Sequence, residues 1–357
     1  MEPEPLRSPA GFDGPLPPAP FPRPRTSWWR RNQAPLVLVG LSILIPELLT
    51  GSTPVLALLN PVGVLFLLGL YGGGVLLVRE LSVRGGRGWG TLLLLGGAYG
   101  VAEEGLGTKT FFDAQLVHNT FSAPWGHYLG VNWAWAVQLG IFHAVFSIGL
   151  PILLVQLLYP ETRGHPLLSL RGGWVAGGAF GVTVALMLRL FNASYALPAY
   201  LVVGSLGVIA VLSVVAWNIP TGWRTGRSPA LRATPLAHFA VGAIFVWSFF
   251  GINWLLAAVT LNAPLVVAAQ LALAALTLRW VVRHLGAPPD PPAQTGLAAG
   301  LLSFLVVMAV VEDLFGDWGA VVPALIIVYL LFRLRARYPW HVSASASPGV
   351  RLSTKEI

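Results

Sequence analysis

Long apolar runs, separated by short polar or proline- and glycine-rich segments, fill the sequence from residue 35 to residue 334. Runs of about 17 residues or more are long enough to cross the roughly 30 Å hydrocarbon core of a bilayer as α-helices. The regular alternation of apolar and polar positions that is typical of a β-barrel strand is absent from the sequence. The pattern therefore predicts an all-α, polytopic transmembrane helical bundle of about ten spans, near residues 35–51, 56–78, 89–106, 131–158, 174–191, 198–217, 236–256, 263–282, 296–315 and 319–334.

The two ends of the chain differ in composition from this apolar part. Residues 1–33 are polar and rich in proline and arginine, which predicts a disordered segment. Residues 336–357 form a second, shorter segment of similar character. We therefore expect three parts: a disordered cytoplasmic tail over 1–33, a transmembrane helical domain over 34–335 and a cytoplasmic C-terminal tail over 336–357.

The positive charges predict how the spans are oriented. With the N-terminus placed in the cytoplasm, all of the 22 lysines and arginines except Lys109 and Arg189 fall on the inner side of the ten spans. Because lysine and arginine are enriched in cytoplasmic loops, this distribution predicts that both termini are cytoplasmic. The many arginines, alanines, glycines and prolines indicate a prokaryotic source, so the expected location is the cytoplasmic membrane of a cell, as a multi-pass protein.

Composition excludes several classes of function. The chain is 55% hydrophobic and only 10% charged, whereas about a quarter of the residues in a soluble domain are charged. Without cysteine there are no disulfides, no thiolate chemistry and no cysteine metal sites. The net charge of +8 lies beside the apolar runs, where it acts as a topology signal. We therefore predict the lipid bilayer as a partner and no nucleic acid.

Acidic residues gather at the other, outer ends of the predicted spans. Because acidic residues contribute little to topology, this bias needs another cause. A carboxylate inside the membrane costs about 3 kcal/mol or more unless it is paired, protonated or hydrated. The bias predicts a polar cavity that opens outward, and a scatter of acids around the rim of the bundle is the alternative. The residues concerned are Glu47, Glu103, Glu104, Asp113, Glu312, Asp313 and Asp317.

Two adjacent carboxylates end the third apolar run, in the segment YGVAEEGLG. On a helix, Glu103 and Glu104 point about 100° apart, so only one of them faces a given cavity squarely. Tyr99 lies one turn before Glu103 on the same face, where its hydroxyl is placed to form a hydrogen bond. Two close carboxylates, one protonated and one ionised, suit proton transfer or water activation. The simpler interpretation is that both are solvated at the membrane interface.

The fourth apolar run contains His143 about twelve residues from its start. Residues that are four or eleven positions apart share a helical face, which puts Asn132, His143 and Ser147 in one polar stripe. A histidine at this depth in the membrane is a candidate functional residue. The alternative is a histidine that forms a hydrogen bond to a neighbouring helix and serves packing only.

The third and fourth runs together resemble the CPBP superfamily of intramembrane proteases, which comprises CAAX proteases and bacteriocin-processing enzymes. The matching residues are Glu103, Glu104 and Lys109 in EEGLGTK and His143 in FHAVFS. The resemblance implies that the leading Glu and His143 polarise a water that attacks a peptide bond within the membrane. It also implies that the following cation positions the Glu pair. A later helix of that family carries a second His and an Asn or Asp, whereas here Asn253 has no His four residues before it.

Two other functions fit the same residues. Ten spans divide into two inverted sets of five, a common plan of secondary transporters, in which Glu47, the Glu pair and Glu312 would bind a proton or a cation. The second of these functions is a non-catalytic membrane scaffold with a polar packing core. For an enzyme or a transporter, the substrate would be a membrane-embedded peptide or a small molecule, and the sequence identifies no cofactor and no particular metal. The candidate site comprises Glu103, Glu104 and His143 as catalytic residues and Lys109, Tyr99, Asn132, Ser147, Glu47, Asp113 and Glu312 as supporting residues.

Overall fold

Helix accounts for nearly all of the secondary structure in the computed structural model. The structure describes residues 28–113, 115, 127–220, 233–256, 259, 262–285, 290–315 and 319–340. Most of each predicted tail (residues 1–27 and 341–357) and Asp317 lie outside the described residues. Within them, the one sheet is a small antiparallel hairpin of His127–Tyr128 and Val131–Asn132.

Ten helices, which we number α1 to α10, account for the predicted spans in the described part of the chain. Short 3₁₀ turns lie at Val55–Leu59 and Pro160–Thr162. The helices are α1 (Trp28–Ile43, continued by Leu44–Leu48), α2 (Pro61–Arg84), α3 (Trp89–Gly100, continued by Val101–Gly107), α4 (Trp133–Leu158), α5 (Leu170–Leu190), α6 (Ala199–Asn218), α7 (Pro235–Gly251, continued by Ile252–Leu256), α8 (Ala263–His284), α9 (Pro291–Phe315) and α10 (Val321–Arg337).

Seven of these helices, α2 and α4 to α9, are long and apolar enough to cross a membrane. In α1 the apolar stretch is shorter and covers Asn32–Leu48. An all-α bundle with this number of membrane-length helices confirms the predicted polytopic class. The predicted order of the spans along the chain is also the order of the helices.

Several helices begin earlier than predicted. The first starts at Trp28, inside the segment predicted to be a tail. Ser169 caps α5 by accepting a hydrogen bond from the backbone N–H of Gly172 at 3.1 Å, so this helix starts before its apolar part. Likewise, α9 starts at Pro291 and includes Gln294. Hydropathy detects only the apolar part of a helix, and the polar first turns of these helices therefore escaped the prediction.

Arginines connect several helix ends on one side of the bundle, which we call the arginine end. Arg79 near the end of α2 is buried and donates a hydrogen bond to the carbonyl of Thr162, just after α4, at 2.8 Å. Arg163 donates to Gln294 at the start of α9 at 3.0 Å. Arg337 at the end of α10 donates to a carbonyl in the last turn of α4 at 2.8 Å. The ends of α2, α4 and α10 and the start of α9 therefore lie together, as an alternating chain path requires.

Glycines allow α7 and α9 to pack with their backbones in contact. A Cβ atom on Gly296 would meet the carbonyl of Pro235, and one on Gly300 would meet the carbonyl of Phe239. The two contacts advance in the same direction along both helices, so α7 and α9 are parallel. Small residues that permit such close approach are typical of helix pairs in membranes, where burial of apolar surface supplies little driving force.

Five helices change from α-helical to π-helical hydrogen bonding over one short segment each in the described residues. The π-helix is rare, with less than about 1% of the residues in globular proteins, and it often occurs at functional sites. In α4 this segment ends two residues before Pro151, which has no N–H to continue an α-helical ladder. All five segments contribute to one cavity. They are Leu44–Leu48 in α1, Leu68–Gly72 in α2, Val101–Gly107 in α3, His143–Gly149 in α4 and Ile252–Leu256 in α7.

Candidate functional site

A cavity of about 410 Å³, which we call the polar cavity, lies among α1, α2, α3, α4 and α7. Each of the five π-helical segments places one polar side chain on its wall: Glu47, Tyr71, Glu104, His143 and Asn253. Much of the remaining wall is aromatic and is formed by Trp135, Phe142, Phe250 and Trp254. One carboxylate of the Glu pair and the histidine therefore face the same space.

His143 is buried and contacts a carboxylate through each of its ring nitrogens. Its Nε2 atom lies 3.0 Å from Oε1 of Glu104, and its Nδ1 atom lies 3.2 Å from Oε2 of Glu103. The Nδ1 atom also lies 2.8 Å from the hydroxyl oxygen of Ser147, one turn further along α4. Because an imidazole exchanges protons at either nitrogen, these four side chains form a connected group for proton transfer.

The two carboxylates of the Glu pair have different surroundings. Glu104 lines the polar cavity, and its Oε2 atom accepts hydrogen bonds from the hydroxyls of Thr108 (2.8 Å) and Thr110. Glu103 is buried on the other side of the imidazole and is not part of the cavity wall. The two threonines follow the end of α3, and they occupy one carboxylate oxygen of Glu104 while the other faces His143.

Glu47 brings a third carboxylate to the polar cavity. It accepts hydrogen bonds from the hydroxyls of Thr53 and Tyr71. Tyr71 and Tyr99 both face the carboxylate of Glu103. The ring of Tyr99 also meets the histidine ring edge to face, with 5.8 Å between the ring centroids. Glu47 and Tyr99, two of the predicted supporting residues, therefore belong to the same cluster of side chains.

Glycines in α3 bring the Glu pair within reach of α4. A Cβ atom on Gly96 would lie 2.9 Å from Cα of Ala144, and one on Gly100 would lie 3.0 Å from Cβ of His143. Both distances are shorter than ordinary contacts between side chains in a packed interior. The two helices can therefore cross at this point only because these positions of α3 have no side chain.

Lys109 binds backbone carbonyls rather than the Glu pair, which differs from the role that the resemblance implies. It is buried, and its Nζ atom donates hydrogen bonds to the carbonyls of Phe191 (3.0 Å), Asn192 (3.2 Å) and Tyr195 (3.2 Å). These carbonyls follow the C-terminal end of α5, where backbone acceptors have no partner within the helix. Lys109 therefore fastens the segment after α3 to the end of α5.

Replacing Lys109 with methionine should lower the free energy of unfolding by about 2 kcal/mol, because three backbone carbonyls would lose a charged donor. Thermal unfolding in detergent would measure the change. The matched control is Arg189→Met, which removes an exposed cation from the same end of α5 and should leave the unfolding midpoint unchanged. If both variants unfold like the wild-type protein, Lys109 does not hold the end of α5.

Three predicted supporting residues are not part of the wall of the polar cavity. Asp113 accepts a hydrogen bond from the side chain of Asn192, beyond the end of α5. Asn132 caps the start of α4 by accepting a hydrogen bond from the N–H of Trp135 at 3.1 Å. Glu312 lies in the last turns of α9 and is not part of the cavity wall. Asn132 is therefore the cap that precedes α4, and of the residues in the predicted stripe it is Ser147 that contacts His143.

Other residues of the cluster carried no prediction. Tyr71 and Thr110 were missed, and so was Gln270 in α8, whose Nε2 atom donates to Oδ1 of Asn253 at 2.8 Å. Gln270 and Asn253 are isolated amides in long apolar runs, which is a signal that could have identified them. The structure thus places Asn253 at the site although no histidine precedes it by four residues.

Glu103, Glu104 and His143 could also hold a metal ion. One ligand atom from each of them lies within 4.8 Å of the other two. Two carboxylate oxygens and one imidazole nitrogen form a donor set that suits several divalent ions. An ion bound through a ring nitrogen would replace one of the contacts between His143 and a carboxylate.

Comparison with known proteins gives a family for most of the chain. The model of an uncharacterized membrane protein family matches residues 36–342. No curated protein and no solved structure matched the chain. The family match supports the general prediction of a membrane protein, and it gives no support to the resemblance to the CPBP superfamily.

Proposed function

The chain belongs to an uncharacterized membrane protein family, and from the side chains around its polar cavity we propose that it is an intramembrane hydrolase. Glu104 and His143 activate a water molecule, which attacks a peptide carbonyl of a membrane-embedded substrate. The observation that carries the proposal is the 3.0 Å contact between Oε1 of Glu104 and Nε2 of His143 on the wall of one cavity. A volume of about 410 Å³ falls within the range of small-ligand sites and suits a short part of a peptide.

The reaction needs a base and an acid beside the same water. Glu104 takes a proton from the water while the water oxygen bonds to the carbonyl carbon of the substrate. His143 donates a proton to the leaving nitrogen as the carbon–nitrogen bond breaks, so the products are a carboxylic acid and an amine. The proton on Glu104 then returns to His143 across their contact, which restores the starting state.

The other polar side chains position these two groups. Glu103 and Ser147 hold the Nδ1 side of the imidazole, which leaves Nε2 for Glu104 and the substrate. Gln270 donates to Oδ1 of Asn253, which fixes the amide. Among the described residues, its Nδ2 group has only a 3.4 Å hydrogen bond to the backbone carbonyl of Phe249. In the proposed reaction this Nδ2 group donates to the oxyanion that forms on the substrate.

The aromatic walls favour an apolar substrate. Trp135, Phe142, Phe250 and Trp254 present large apolar surfaces to the cavity, and such walls hold hydrophobic side chains of a transmembrane peptide. Because arginines are enriched on the cytoplasmic side of membrane proteins, we infer that the arginine end faces the cytoplasm and that the polar cavity lies in the outer half of the membrane.

Hydrolysis in water enriched in oxygen-18 tests the proposal. Proteoliposomes containing the wild-type protein and a pool of hydrophobic transmembrane peptides should release fragments whose new carboxyl ends carry one heavy oxygen atom. Mass spectrometry of the fragments would detect the label. His143→Ala should abolish the labelled fragments, whereas His284→Ala, at the far end of α8, is the matched control and should retain them.

Absence of labelled fragments from the wild-type protein across the peptide pool would reject the protease reaction. Equal yields from the wild-type protein and His143→Ala would also reject it, because the histidine is the proposed acid. Loss of folding in His143→Ala would be seen as a shifted elution volume or a lower unfolding midpoint. It would instead support the scaffold alternative, in which His143 serves packing.

A proton- or cation-coupled transporter is a second candidate, and the contiguous set of Glu47, Glu103, Glu104 and His143 favours it. The packing of the two halves does not support the inverted arrangement of five plus five helices. In such an arrangement α2 and α4 of the first half would correspond to α7 and α9 of the second half. The helices α7 and α9 pack closely in parallel, whereas α2 packs mainly on α5 and α1. A transporter would show movement of protons into proteoliposomes that depends on Glu104, without any labelled peptide fragments.

A further inference from the structure

A second cavity, of about 300 Å³, lies on another side of α4, and we call it the apolar groove. Its walls come from α3, α4, α8 and α9, with Phe245 of α7. The lining is almost entirely aliphatic and aromatic, and Thr277 and Gln294 are its polar side chains. It does not share a lining residue with the polar cavity.

The groove exists because α8 packs on only part of α4. The main contacts of α8 are with Trp133–Phe142, the first part of α4, and with α7. Further along, small residues keep the helices from filling the space between them, among them Ala144 and Gly149 of α4 and Ala274 of α8. An open apolar groove therefore runs beside the later turns of α4.

The length and position of the groove match one leaflet of a bilayer. Along α4 its lining extends from Ile141 to Leu153, about 18 Å at the rise of an α-helix. One leaflet contributes half of a hydrocarbon core of roughly 30 Å, or about 15 Å. The residues at one end of the groove, Trp89, Leu285 and Gln294, lie at the arginine end, and the groove runs from there towards the middle of the membrane.

A positive charge stands at the end of the groove where a lipid headgroup would lie. Arg163 is partly exposed and donates a hydrogen bond at 3.0 Å to Gln294, which lines the groove. Its guanidinium group keeps donors for a phosphate, because it has five N–H groups in all. The membrane-length helices α4 and α9 end and begin at this level, so we expect the headgroup region of a membrane here.

We infer that the apolar groove binds one acyl chain of a phospholipid from the leaflet at the arginine end, with its phosphate beside Arg163. The bound chain packs against Ala144 and Val145, the two residues that follow His143. The lipid therefore supports the π-helical segment of α4 from the side that faces away from the polar cavity. This inference does not depend on the proposed hydrolase activity.

Photo-crosslinking of a phospholipid tests the inference. Proteoliposomes would contain phosphatidylglycerol with a diazirine on one acyl chain, and mass spectrometry would locate the crosslinked residues. We expect labels on groove residues of α4 and α8. Ala274→Phe, which fills the groove, should reduce these labels about tenfold, as expected for the loss of apolar contacts worth roughly two methylene groups.

Ala275→Phe is the matched control, because Ala275 is exposed and does not line the groove, and its labelling should equal that of the wild-type protein. Leu278→Trp, at another lining position, serves as a second filled variant if Ala274→Phe does not fold. Arg163→Gln should weaken labelling by the phospholipid and leave labelling by a diazirine fatty acid unchanged.

Three results would overturn the inference. They are labels spread evenly over the exposed helices, equal labelling of the filled variants and the wild-type protein, and groove labelling by the free fatty acid but not by the phospholipid.

Discussion

Replacing Glu104 with glutamine should lower the rate of peptide hydrolysis by about 10²- to 10⁴-fold, the usual contribution of a positioned general base. An amide in place of the carboxylate cannot take the proton of the attacking water. Its oxygen can still accept the hydrogen bonds from Thr108 and Thr110, so the fold around the site should survive. Initial rates of fragment release in proteoliposomes, together with the unfolding midpoint, would measure both effects.

Glu161→Gln is the matched control for this variant. Glu161 is exposed in the 3₁₀ turn after α4, near the arginine end, and the same chemical change there should leave the rate unaltered. Glu103→Gln gives a second comparison, since Glu103 contacts the imidazole but not the cavity. A Glu104→Gln protein with wild-type activity would remove Glu104 from the reaction and leave Glu103 or Glu47 as the base.

The largest loss of stability is expected from Gly300→Ala, which should lower the free energy of unfolding by about 3 kcal/mol. The added methyl group would meet the carbonyl of Phe239 and lie 2.8 Å from the backbone nitrogen of Ala243. Both are backbone atoms, so the strain can be relieved only if α7 and α9 move apart. Thermal unfolding in detergent would measure the loss.

Gly204→Ala provides the control for Gly300→Ala. Gly204 is exposed in α6, and a Cβ atom there would have open space around it. Because alanine is the better helix former by about 1 kcal/mol, this variant should unfold at the same temperature or slightly higher. Equal midpoints for the two variants would contradict the close parallel packing of α7 and α9.

The fold could be predicted from the sequence because hydropathy is a property of contiguous residues. Each span appears as a long run that is mostly apolar, and arginines such as Arg79 and Arg163 mark the ends that lie together. Helix starts were predicted less well. The first turns of α5 and α9 contain polar residues, and the capping residue Ser169 is the sequence signal for the start of α5.

The centre of the candidate site could also be predicted, because consecutive spans often pack side by side. This rule brings the end of α3 to the middle of α4, and the spacing of four places Ser147 beside His143. The sequence did not indicate which carboxylate of the Glu pair lines the cavity. It is Glu104, because of the way α3 crosses α4 at Gly96 and Gly100.

The contacts that could not be read from the sequence are those between distant segments. Lys109 binds carbonyls that follow α5, and backbone acceptors carry no sequence signature. Asn132 shares a helical period with His143 but precedes the helix. Tyr71 and Asn253 reach the cavity from α2 and α7, whose placement follows from the packing of the whole bundle.

The π-helical segments make the spacing of residues as important as their identity. A π-helical turn closes its hydrogen bond over one more residue than an α-helical turn. Deleting one residue between His143 and Gly149 would let α4 return to the regular ladder, because the π-helical turn holds one extra residue. The residues beyond would stay on nearly the same faces of the helix, whereas the side chains within the shortened turn would point in new directions. A protein that kept every acid, hydroxyl and imidazole of this chain, but was one residue shorter at such a turn, would aim the side chains of that turn at different neighbours.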